Sequence, residues 1–296
     1  MPSLPDVMTR DAAALAASAA AARPAPDDPA PDDPAHEMGR EPVHEPTRAA
    51  LVEFLIRMGD NTLVLGHRLS EWCGHGPALE EDIGVANIAL DLIGQTQFWL
   101  GLAGEVEGRG RKADDLAFLR DVWEFRNVLL VELPNGDYGH TLMRQFLFDA
   151  WHVEALRALA ASTEARVAGI AAKAVKEAHY HLEKSADLVV RLGDGTEESR
   201  RRMQAALDVL WPYAGELFLG DAVDAVLAEA GIAPDPASLR AAWDATVRPI
   251  LAEATLRVPD GTFAHKGGRR GIHTEHLGRM LAEMQFLQRA YPGATW

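Results

Sequence analysis

With 296 residues, 48% of them hydrophobic, the chain can bury one large core or two modest ones. Its 44 acidic against 29 basic residues leave a net charge of −15, which repels phosphate backbones and anionic lipid and so argues against nucleic acid and membrane as partners. The single cysteine, Cys73, can form neither an internal disulfide nor a zinc or iron–sulfur cluster by itself, so a reducing cytoplasm is the expected setting.

The alanine-rich tract at residues 12–22 does not read as a secretion signal. Asp6 precedes it where a positive region would stand, Arg10 and Asp11 abut it, and it has little leucine. The Pro-Asp-Asp-Pro repeats at 26–29 and 31–34 carry too little apolar surface to offset the entropy of ordering them, so residues 1–46 are expected to be a disordered tail. Thr47 reads as the N-cap of a helix in which Leu51, Phe54, Leu55, Met58, Leu65, Leu69 and Trp72 recur at helical spacing. That helix stops in Cys73-Gly74-His75-Gly76-Pro77, and a second runs over residues 79–105 with small residues Gly84, Ala86 and Gly94 for close packing.

A loop at 107–114 leads to a buried helix expected over 115–133, ended by the turn Pro134-Asn135-Gly136-Asp137. Long helices follow at 141–161 and 165–192, then others near 197–219, 221–229, 236–256 and 273–290. No stretch alternates with period two. The pattern predicts an all-α domain over 47–296: a bundle of long helices with additional C-terminal helices.

Bundle sites are built from carboxylates and histidines that project inward, and each long helix has one polar interruption. These are Leu69-Ser70-Glu71-Trp72, Leu90-Asp91-Leu92-Ile93-Gly94-Gln95, Phe148-Asp149-Ala150-Trp151-His152 and Lys176-Glu177-Ala178-His179-Tyr180-His181. A diiron centre takes one carboxylate from each of two helices and Glu-x-x-His from each of the other two. Glu71 and Asp149 can serve as the single carboxylates, but the paired positions hold Leu92 with Gln95 and Ala178 with His181. Two bridging carboxylates and one imidazole are missing. Asp91 and Glu177 stand one residue early, about 100° round the helix. A rearranged set of Asp149, His152, Glu177 and His181 is the alternative; a buried polar or ionic network that fixes helix register is the plainer reading.

Several blocks in order resemble the PaaC family, the C-type subunits of bacterial phenylacetyl-CoA epoxidases. They are Gly59-Asp60-Asn61, Ser70-Glu71-Trp72-Cys73-Gly74-His75, the 86–95 stretch ending in Asp91-Leu92-Ile93-Gly94-Gln95, Leu133-Pro134-Asn135-Gly136, Asp149-Ala150-Trp151-His152, the 176–181 stretch, and His273-Thr274-Glu275-His276-Leu277-Gly278. The similarity covers residues 51–296. It implies a ferritin-like four-helix bundle and a non-catalytic structural role beside a homologous PaaA-type catalytic subunit. That partner holds the diiron centre, with an Asp-Glu-Ala-Gly-His type string where this chain has Asp91-Leu92-Ile93-Gly94-Gln95. It also implies that the complex epoxidises the ring of phenylacetyl-CoA with O2, electrons arriving from NADPH through a reductase subunit. No cofactor is expected on this chain; homodimer contacts are a further expectation. The alternatives are an autonomous diiron oxidoreductase and an iron-storage protein, the latter disfavoured by the missing ligands.

Lys266, Arg269 and Arg270 gather positive charge on a glycine-rich loop and are candidates for coenzyme A phosphates or a partner's acidic residues, against a merely solvated turn. Glu124, Phe125, Arg126 and Asn127 precede an apolar run and are candidates for contact with the acyl-CoA at a subunit boundary, against an ion pair of Glu124 or a neighbour with Arg126. Trp72, Trp99, Trp123, Trp151, Trp211 and Trp243 are expected in the core, Cys73 as a small packed residue, and His75, His140, His273 and His276 at the surface or in caps.

Overall fold

A computed structural model describes residues 45–260 and 265–294, all within the unit Val43–Trp296. The stretch 1–44, most of the expected tail, lies outside the described residues. Two helical hairpins form the bundle. Helix α1 (Glu45–Ser70) packs along α2 (Leu79–Glu107), α5 (Tyr138–Leu159) packs along α6 (Ala165–Gly193), and α6 also meets α2. Their shared interior is filled by large side chains with no solvent exposure, among them Leu55, Leu65, Trp99, Phe146 and Phe148. Small residues set the closeness of the first hairpin. A Cβ on Gly66 would sit 3.3 Å from the Ala89 carbonyl of α2, and one on Gly59 would sit 2.5 Å from the Leu100 side chain of α2.

Between the hairpins come α3 (Ala113–Phe118), a 3-10 turn at Val122–Glu124 and α4 (Leu129–Glu132). One continuous helix over 115–133 is therefore not what forms. Side chains from elsewhere take the backbone donors that a helix would use. Asp60 accepts the Arg126 N–H at 2.8 Å, Asn61 that of Val128 at 2.8 Å, and Glu216 that of Leu129 at 2.8 Å. The Arg120 guanidinium pairs with Asp60 and lies 4.4 Å from the Phe125 ring centroid.

Helices α7 (Glu197–Ala214), α8 (Ala222–Glu229) and α9 (Arg240–Glu253) follow, then α10 (Glu275–Met284) and α11 (Phe286–Ala290). The expected 197–219 helix tightens to a 3-10 turn at Gly215–Phe218, where the Glu216 carboxylate also accepts from the Gly267 N–H at 2.8 Å. Likewise 236–256 starts as a 3-10 turn at Pro236–Leu239, and 273–290 divides at Gln285, whose amide donates to the Ala117 and Arg120 carbonyls at 3.0 Å. Helix α1 starts two residues before Thr47, which sits in its first turn and is not the N-cap. Among the described residues there is no strand, and no helix is long and apolar enough to cross a membrane. Trp99 and Trp243 are core residues as expected, whereas Trp123 is 67% exposed and Cys73 is exposed in the turn after α1.

Candidate functional site

The polar interruptions of α2, α5 and α6 converge on one centre. Asp149 is wholly buried; its Oδ1 accepts from Gln145 Nε2 at 2.7 Å and its Oδ2 from Ser185 Oγ at 2.8 Å. Burial pushes the Asp149 carboxyl up to about 7, although His181, Ser185 and Gln145 each favour the anion. His152, one turn along α5, is also wholly buried, its ring 5.1 Å from Phe148 and stacked beside Trp151. Burial first, and then the neighbouring His181, hold it down at about 3, so it is a neutral imidazole. Neither of its ring nitrogens has a partner among the described residues.

The seam between α2 and α6 is tied by two reciprocal bonds. His181 Nε2 lies 3.0 Å from Asp91 Oδ2, and Gln95 Nε2 donates to Glu177 Oε2 at 2.9 Å. The one-residue offset of Asp91 and Glu177 explains this arrangement. The offset turns each carboxylate out of the centre to the rim, where it meets the inward side chain of the opposite helix. At the inward positions themselves stand Leu92 and Ala178, both without solvent exposure. Burying a leucine there contributes about 2 kcal/mol of transfer free energy, in the place where a carboxylate would hold metal.

Glu71 does not reach the centre. Helix α1 ends at Ser70, and Glu71 turns outward to Arg68 at 2.9 Å and Asn135 at 2.8 Å. The other carboxylates of α1 are engaged as well: Glu45 with Arg48, Glu53 with Arg57 and Arg126, and Asp60 with Arg120. The donor set therefore does not fit a two-iron centre. Asp149 is the carboxylate inside, it is held by two hydrogen bonds, and no group of three or more His, Cys, Asp or Glu among the described residues gathers as metal ligands do.

The candidate acyl-CoA contacts divide. Phe125 and Asn127 are wholly buried, Asn127 donating to Glu132 at 2.9 Å. Arg126 pairs with Glu53 of α1 at 3.1 Å, not with Glu124, whose carboxylate caps the 3-10 turn through the Asp121 N–H. Arg269 is bound to Asp224 at 2.7 Å, while Lys266 and Arg270 remain exposed.

A second buried network escaped the sequence reading. Glu132 is wholly buried and accepts from the Thr274 N–H at 2.6 Å, and His273 Nδ1 lies 2.7 Å from its other oxygen. His273 Nε2 faces the Phe125 carbonyl at 3.0 Å. Both ring nitrogens thus meet acceptors, which is the bonding of an imidazolium. This histidine is a buried brace, not a surface or cap residue. The available signal was Glu132 and Glu216, each a lone charge inside an apolar run. Burial draws the His273 pKa down, but the Glu132 bond and charge, with the Phe125 carbonyl, outweigh it and leave it raised above 6.5. A raised histidine pKa contributes stability that is fully present below 6.5 and is lost as pH rises through the folded-state value. Unfolding titrations of wild type and His273→Gln are expected to differ most at pH 5.5, with the difference shrinking towards pH 8.5; a constant difference would show that the ring is not charged.

Paired helical hairpins enclosing an Asp–His–Gln centre, at the level where diiron proteins carry Glu-x-x-His pairs, define a ferritin-like bundle that lacks the iron donor set. The sequence pattern of the phenylacetic acid catabolic protein family matches residues 37–296, and the chain belongs to that family. It is 51% identical over 246 residues to the C-type subunit of the 1,2-phenylacetyl-CoA epoxidase of Escherichia coli (strain K12), a match covering 83% of this chain and 99% of that protein.

Proposed function

We propose that the chain is the non-catalytic structural subunit of a multicomponent phenylacetyl-CoA epoxidase in the cytoplasm. It supports a homologous PaaA-type subunit, which carries the diiron centre and epoxidises the ring with O2 and electrons relayed from NADPH by a reductase subunit. One observation carries the reading: Leu92 and Ala178 fill the inward positions where bridging carboxylates would stand, and the remaining Asp149 is bonded to Gln145 and Ser185. Side-chain bonds between α2, α5 and α6 then hold the bundle in register without metal. The similarity to a C-type epoxidase subunit supports the same assignment.

Metal analysis tests it, on the chain expressed alone and then with the homologous diiron subunit. The expected result is no stoichiometric iron on the isolated chain and a stable, iron-containing complex on co-expression. About two irons per isolated chain, with oxygen-dependent turnover, would instead establish the rearranged set of Asp149, His152, Glu177 and His181.

A further inference from the structure

A cavity of about 50 Å³ lies where α1 and α5 meet the elements that follow α7. Its wall is mostly apolar, with Phe54 and Met58 of α1, Ala155 and Leu159 of α5, Leu217 of one 3-10 turn and Pro236 of the next. Asn61 of α1 and Trp151 of α5 also line it, 5% and 8% exposed. Each carries an N–H with no acceptor among the described residues. The Asn61 amide is fixed by its Oδ1, which accepts the Val128 N–H at 2.8 Å, so Nδ2 is the end left without a bond. Trp151 Nε1 is buried and equally unpaired. An unbonded donor in a protein interior is costly, and two of them on residues of one cavity wall point to an acceptor held there.

We propose that this cavity binds a small neutral carbonyl compound, whose oxygen accepts from Asn61 Nδ2 and Trp151 Nε1 while its carbons lie against the apolar wall. Size sets the limits. The cavity has about a third of the ~150 Å³ that takes benzene, so a six-membered ring does not enter, and several times the ~10–15 Å³ that one water needs. Waters alone fill such a space poorly, because each needs about two to four polar partners. Charge excludes an anion. Of the guanidiniums on the wall, Arg57 is taken by Asp221 at 2.7 Å and Glu53 at 3.2 Å, and Arg269 by both oxygens of Asp224 at 2.7 Å. Arg126 pairs with the same Glu53 at 3.1 Å, so three guanidiniums face three carboxylates. The unbonded wall groups are donors, which select an acceptor. A carbonyl oxygen offers two lone pairs to the two N–H groups, whereas a hydroxyl would bring an O–H that needs an acceptor of its own.

The test follows the Trp151 indole N–H by NMR in the full chain, the signal being identified by its loss in Trp151→Phe. The probes are acetone, the smallest ketone, and acetate, an anion of nearly the same shape. Acetone is expected to shift the signal and to saturate with a dissociation constant on the order of 1–10 mM, as so few atoms allow. Acetate is expected to bind about tenfold more weakly or worse. Ala155→Val adds two methyl groups to the α5 wall and is expected to weaken acetone binding about tenfold, with helix content and thermal midpoint near wild type. A wild-type crystal soaked in acetone gives a reading independent of that variant, namely ligand density with its oxygen in hydrogen-bond reach of Asn61 and Trp151. An indole signal that acetone leaves unmoved, or acetate bound as tightly as acetone, overturns the proposal. So does a soaked crystal in which water alone occupies the cavity.

Discussion

Asp60→Ala is expected to lower the unfolding free energy by about 3–5 kcal/mol, the range for removing one partner of a buried ion pair. Asp60 has no solvent exposure, and Arg120, its partner, is 4% exposed. Removing the carboxylate strands a guanidinium that cannot reach water, and it also frees the Arg126 N–H that Asp60 accepts at 2.8 Å. The damage spreads along residues 120–129, because that segment has little helical bonding of its own and depends on Asp60, Asn61 and Glu216 for its backbone contacts. Chemical denaturation of the isolated chain checks the value. The paired change Asp60→Leu with Arg120→Met is expected to recover most of the loss, since replacing both charges removes the desolvation penalty together with the attraction. A loss below about 1 kcal/mol would mean that the pair contributes little beyond a surface one.

Asp149→Asn is expected to stabilise the chain increasingly as pH rises. The wild-type carboxyl is raised by burial to about 7 from an ordinary 3.8, so between those values the folded chain holds a proton that the unfolded chain has released. The unfolding free energy therefore falls as pH rises through that window, by an amount on the order of 4 kcal/mol, and levels off above it. Asparagine is uncharged at every pH and has nearly the same shape. Its amide can donate to Gln145 Oε1, which has no partner in the wild type, while its oxygen accepts from Ser185. The variant is therefore expected to lack this slope, to differ little from wild type near pH 4.5 and to be the more stable protein near pH 8. Parallel stability curves for the two proteins would show that Asp149 is ionised throughout. The His273 effect sets in at higher pH, above 6.5, so the two variants separate the contributions.

The long helices were legible because their apolar residues recur at helical spacing over many turns, and local glycine and proline residues mark where several of them stop. The predicted ends of α2 and α6 fall within two residues of the observed ones. The 115–133 stretch was not legible as broken. Its own composition favours a helix, and what divides it is hydrogen bonding to residues far away in the chain. The same cause hid His273. Its partner Glu132 lies 141 positions earlier, and nothing in the local pattern records that meeting.

For the site, ligand spacing alone placed Leu92, Gln95, Ala178 and His181 on inward faces, because three residues make nearly one helical turn, and all four are buried. Spacing also set Asp91 and Glu177 off to the side. Only the tertiary structure decided what they do there: they bond across the α2–α6 seam to His181 and Gln95. It decided too that Glu71 belongs to an exposed turn and that Asp149 answers to Gln145 and Ser185. Helical periodicity states which side of its own axis a residue occupies. What it meets on that side depends on how separate helices pack, and local sequence carries no measure of that.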